Sequence, residues 1–211
     1  LLSEDSQWVA ATRSRLMASR DRFNDAPLWE ADKNIRFRGK SALGVQQLIA
    51  LIASPAWTDV APEERNYWDP IDIYSEAGRP DLARRMLESW QRDLPHTFED
   101  PRWRSYIDAA EGALALAEGK PALAAQKYRA AIHFPDGNEA GYIGLNLLGL
   151  GRAYDAAGQV DSAEAVYRRF LELPPVKRHA GSAEGNGLAL VRKRLGEMME
   201  ARGDTAGAIA Q

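Results

Sequence analysis

Cysteine is missing from this 211-residue chain. Disulfides, thiolate nucleophiles and cysteine-held zinc are therefore excluded, while the redox compartment stays open. Histidine is scarce: His96, His133 and His179 fall in three separate predicted loops, with no second ligand at helical spacing. That pattern offers neither a metal centre nor an imidazole base with its partner. No apolar run approaches the ~18 residues that read as a membrane span. The longest, Leu48 to Ala53, belongs to an amphipathic pattern. A surplus of positive charge is lacking too, since the formal net charge is −3 with acids and bases interleaved. Bulk nucleic-acid binding and insertion into a membrane are not expected of such a surface. No glycine-rich loop carries the lysine and hydroxyl of a phosphate-binding loop, and no triad or carboxylate pair stands out. The chain reads as non-catalytic and without a cofactor.

What the chain does contain is a recurring glycine. Gly39, Gly78, Gly119, Gly158 and Gly203 follow one another at intervals of 39, 41, 39 and 45 residues. Five residues after each comes a small one: Gly44, Ala83, Ala124, Ala163 and Ala208. Nine residues on stand Leu48, Leu87, Tyr128 and Tyr167, and twelve on stand Leu51, Trp90, Ala131 and Phe170. Prolines close the units at Pro55, Pro95, Pro135 and Pro174. Offsets of five, nine and twelve share one face of a helix. The unit is thus a left-handed turn glycine, an amphipathic helix and a proline stop.

Leu147, Leu150, Gly151 and Tyr154, followed by Gly158, Ala163, Tyr167, Phe170 and Pro174, resemble the tetratricopeptide repeat. Leu195, Gly196, Met199, Gly203 and Ala208 repeat the pattern. Gly112, Gly119, Ala124, Tyr128 and Ala131 keep it, as do Tyr74, Gly78, Ala83 and Leu87, whereas the Gly39 unit is degenerate. The resemblance implies an all-α fold, a right-handed α-solenoid of antiparallel helix pairs forming a superhelix. Units are expected near residues 25–63, 64–104, 105–143, 144–188 and 189–211. An N-terminal helix packing on the first unit of the array is expected over residues 1–24, where Ser3 to Ser6 offer caps and Trp8, Ala11, Arg15 and Leu16 form a stripe.

Units of 39 to 45 residues exceed the family's ~34. The excess falls in the segments after the prolines, read as loops carrying Trp57, Phe98, Trp103 and Phe134. Those aromatics either plug helix ends or form a binding edge. Gly185-Asn186-Gly187 reads as a turn.

The resemblance further implies a concave groove lined by the first helix of each unit, holding a protein or peptide segment. Counting back from each turn glycine places Trp29, Lys33 and Arg36 there in the first unit. Arg65, Trp68 and Asp72 follow in the second, and Tyr106 in the third. Leu145, Leu148, Arg152 and Asp155 follow in the fourth, with Leu190, Lys193 and Glu197 in the fifth. The expected function is a peptide-binding scaffold. The alternative is a regulatory or sensor region of a multidomain bacterial signalling protein, a kinase or transcription activator, binding a small ligand or an intramolecular partner. The fifth unit stops at Gln211 before its large apolar position, so a longer parent and end-to-end dimerisation through exposed repeat ends are also expected.

Overall fold

The computed structural model describes residues 26–133, 143–174 and 183–209. The N-terminal helix expected over 1–24, together with Phe134, Pro135 and His179, lies outside the described residues. Those described form helices and turns with no β-strand. In order they are α1 (Ala26–Arg36), α2 (Ser41–Ile52), α3 (Pro55–Thr58), α4 (Trp68–Glu76), α5 (Pro80–Asp93) and α6 (Pro95–Glu99). These are followed by α7 (Arg104–Ala117), α8 (Pro121–Ala131), α9 (Ile143–Ala156), α10 (Val160–Glu172), α11 (Ala183–Ala201) and α12 (Thr205–Ile209). Short 3-10 turns at Pro62–Glu64 and Pro101–Trp103 precede α4 and α7.

Each recurring glycine joins a packed helix pair: α1 with α2, α4 with α5, α7 with α8, α9 with α10, α11 with α12. All five have positive φ, between 63° and 81°, and no other described residue does so. The physical need is backbone handedness alone, since a side chain at any of them would meet nothing within 4 Å. In four pairs the residue after the glycine donates its amide to a carbonyl five positions back. Arg79 reaches Tyr74 at 2.9 Å, Lys120 reaches Ala115 at 2.9 Å, Gln159 reaches Tyr154 at 2.9 Å and Asp204 reaches Met199 at 3.0 Å. This six-to-one bond satisfies a carbonyl that the ending helix leaves open. The degenerate first pair differs: α1 ends one residue earlier, and Lys40 donates to Asn34 instead.

Pro80 and Pro121 open the second helices α5 and α8, where a missing amide hydrogen costs nothing. Pro55 and Pro95 stand beyond the ends of α2 and α5, as the stop reading requires, yet each then starts a new short helix, α3 and α6. Of the segments expected as loops, those that follow Pro55 and Pro95 are therefore each one helical turn plus one 3-10 turn. A four- or five-residue helix is too short to show periodicity in sequence. Gly185-Asn186-Gly187 is likewise not a turn but lies inside α11. A Cβ on Gly187 would stand 3.0 Å from the Phe170 ring, so close helix packing is what requires that glycine.

The chain divides after Leu94 into two compact units. In the first, Leu28, Leu48, Ile71, Tyr74, Ala83 and Trp90 are buried, and α1 packs on α4. In the second, Ile107, Ala124, Tyr128, Leu147, Ala163, Tyr167, Phe170 and Leu195 are buried. There each first helix packs on the next, α7 on α9 and α9 on α11, while α8 touches α9 and α10 touches α11. Tyr128 sits between successive pairs, against Gly112 of α7 and Gly149 of α9, and Tyr167 covers Gly151.

Candidate partner-binding surface

In the first unit, α1 and α4 present adjacent faces. Trp29 is half-buried and Lys33 is exposed on α1. Arg36, at the end of α1, faces three carboxylates: Asp32 at 2.5 Å, Asp72 of α4 at 2.5 Å and Glu76 at 3.5 Å. Only 16% of the Arg36 side chain and 6% of that of Asp32 are exposed. Burial disfavours the Arg36 cation, but Asp72 and Asp32 outweigh it and hold the guanidinium above its ordinary pKa. The Asp32 carboxyl is held above its ordinary value by burial, against the opposing pull of Arg36. Arg36 and Asp72, expected to face a ligand, are thus spent joining two first helices.

Arg65 is placed differently from expectation. Helix α4 starts only at Trp68, because Asn66 accepts the Asp69 amide at 3.2 Å and donates to the Asp69 carboxylate at 2.6 Å. Arg65 therefore precedes the helix in extended conformation. It donates to the Val60 carbonyl at 2.9 Å and the Thr58 carbonyl at 3.1 Å, and lies 3.4 Å from Asp93. Tyr67 donates to the same Asp93 at 2.7 Å and stacks on Trp90 at 6.2 Å, with Trp57 edge-on at 5.7 Å. Burial and the Asp93 hydrogen bond push the Tyr67 hydroxyl up to about 12. For Trp57 the plug reading holds, since it is buried. Trp68 is half-buried at the first position of α4.

In the second unit, Tyr106 is half-buried and tilted against exposed Trp103 at 5.7 Å. Leu145 is half-buried, whereas Leu148 is 9% exposed and belongs to the core between α9 and α11. Arg152 is half-buried; Lys193 is 77% exposed, 3.8 Å from Glu197. Leu190 adds an exposed apolar side chain on α11. Asp155 of α9 receives a two-pronged bond from Arg194 of α11, at 2.6 and 2.8 Å. Within the α7–α8 pair, buried Asp108 binds Arg104 at 2.9 Å and Lys127 at 3.1 Å, and Lys127 also pairs with Glu111. Ser105 and Asn146 both donate to the Ala131 carbonyl at the end of α8, at 2.6 and 2.7 Å.

These bonds share a spacing that sequence reading had not used. Arg36 and Asp72 are 36 residues apart, Asp155 and Arg194 39, Asp161 and Arg202 41, Glu164 and Arg202 38. Opposite charges about one repeat apart thus tie the first helix pair to the second and the fourth to the fifth. Among the described residues, no group of three or more histidines, acids or cysteines could hold a metal ion. No described helix is long and apolar enough to cross a membrane.

No family model, curated protein or solved structure matches this chain. Half-buried Trp29, Trp68, Tyr106 and Leu145 lie on the first helices α1, α4, α7 and α9.

Proposed function

We propose that the chain is a protein- or peptide-binding scaffold of tetratricopeptide type, its helix pairs stacked in a right-handed solenoid whose first helices line the ligand face. One observation supports this above the rest: five helix pairs, each turned at a left-handed glycine, pack in sequence order within each unit. Neighbour-only stacking is the physics of repeat arrays, whose repeated faces take extended segments. On this reading Trp29, Lys33 and Trp68 contact ligand in the first unit, and Tyr106, Leu145, Arg152 and Lys193 do so in the second. Leu148 belongs to the core of the second unit, and Arg65 braces the chain between α3 and α4. The scaffold performs no chemistry of its own.

The test is selection of binding peptides from a random library displayed against the intact chain. Selected peptides should lose at least about tenfold in affinity with Trp68→Ala or Tyr106→Ala, as aromatic anchors do. Both variants should melt as the parent does. Peptides that bind both variants unchanged, or a library that yields none, would overturn the assignment.

A further inference from the structure

We infer that the outer face of α2 is the contact surface for a second copy of this chain, paired antiparallel about a two-fold axis. Helix α2 has no charged residue anywhere in its 12 positions. Gly44, Val45, Leu48 and Leu51 are buried, packing on α1, while Ala42, Leu43, Gln46, Ile49, Ala50 and Ala53 face outward. Leu43 and Ile49 are 43% and 45% exposed. The other three full-length second helices break up the same surface with charge: Arg84, Arg85 and Glu88 on α5, Arg129 on α8, Arg168, Arg169 and Glu172 on α10. The fold therefore does not require an uncharged face there.

Several features favour a copy of this chain over an unrelated partner. Residues near a two-fold axis meet their own counterparts, so a charge there would oppose itself, and this face carries none. Ala42, Gln46, Ile49 and Ala53 are spaced by four, three and four residues, the seam of a helix that packs lengthwise on another. Alanines at both ends allow close approach. In antiparallel register Gln46 meets the partner's Ile49, and Ala42 meets the partner's Ala53. Lys40, exposed just before α2, then arrives at the C-terminal end of the partner's helix, from which the chain runs on through α3 to exposed Asp59. The antiparallel pairing thus brings the basic start of the patch toward the acidic segment that follows it.

A 12-residue helix is only about 18 Å long. The seam is accordingly smaller than the ~1,200–2,000 Å² of a stable interface, and the dimer is weak and reversible. Sedimentation velocity of the intact chain, from micromolar to millimolar concentration, should show a monomer that shifts toward dimer. Ile49→Lys should move the midpoint upward at least tenfold without changing the melting curve. Gln46→Lys, at a position already polar, should do the same if Ile49→Lys perturbs folding. Lys40→Glu should weaken the dimer, and Lys40→Glu with Asp59→Lys should restore it. A monomer at millimolar concentration, or a dimer indifferent to both lysine variants, would overturn the proposal. So would a dimer abolished by Leu190→Lys instead, which would move the contact to the C-terminal end.

Discussion

Gly119 has a φ of 71° and open space around it, whereas Gly149 is helical and lies beneath the Tyr128 ring. The two residues answer different needs, so alanine should harm them in different ways. Gly119→Ala must adopt a left-handed backbone, at a cost of about 1–2 kcal/mol whatever its neighbours are. Gly149→Ala places its Cβ 2.3 Å from the Tyr128 ring, an overpacking worth about 1–3 kcal/mol. In urea titrations, Gly149→Ala should therefore couple to Tyr128→Leu by about 0.5–3 kcal/mol, and Gly119→Ala should not couple. Equal coupling for both would refute the distinction. Handedness was legible in sequence because a turn glycine recurs at fixed offsets from what it joins. Packing was less so: Gly185-Asn186-Gly187 has the composition of a turn, and only Phe170 against Gly187 reveals a close helix contact.

Helix boundaries were the harder reading. Counting back a fixed distance from each glycine assumes first helices of equal length, but α4 has nine residues where α7 and α9 have 14. Asn66 sets that start, and it moves Arg65 from an expected groove position to a brace beneath α3. Between helices, the ion pairs at one-repeat spacing predict a pH signature. Glu164 of α10 is held below its ordinary value by Arg168 and by Arg202 at the end of α11. A carboxylate with a lowered folded pKa stabilises at and above the unfolded value near 4.5, and that contribution is lost as pH falls through the lower folded value. Melting temperatures of the parent and Glu164→Gln should therefore differ at neutral pH and converge on acidification below 4.5. A gap that stays constant with pH would mean the side chain acts by packing alone. The pairing was readable in principle, as opposite charges about one repeat apart, but no single residue announces it.

Among the described residues, helix pairs pack mainly on their neighbours in sequence within each unit, which allows stability to differ from one stretch to another. Trp29, Trp57, Trp68 and Trp90 all stand in the first unit, and only Trp103 among the described tryptophans stands in the second. Tryptophan emission thus follows mainly the first unit, while helical circular dichroism follows both. Ala163, fully buried between α9 and α10, has no room for leucine. Ala163→Leu should lower the stability of the second unit by about 1–3 kcal/mol. In urea its circular dichroism transition should move to lower concentration while the emission transition stays nearly in place. Two curves that move together would show a single cooperative block. The Tyr128 ring, seated between Gly112 and Gly149, has a mechanical consequence as well. It acts as a detent: sliding α9 along its axis by one turn, about 5.4 Å, would bring Leu145 or Ala153 beneath the ring in place of a glycine. The seam between these two helix pairs therefore resists shear strongly and yields first by opening like a hinge. Tension along the chain should spread the pairs apart before it slides them past one another.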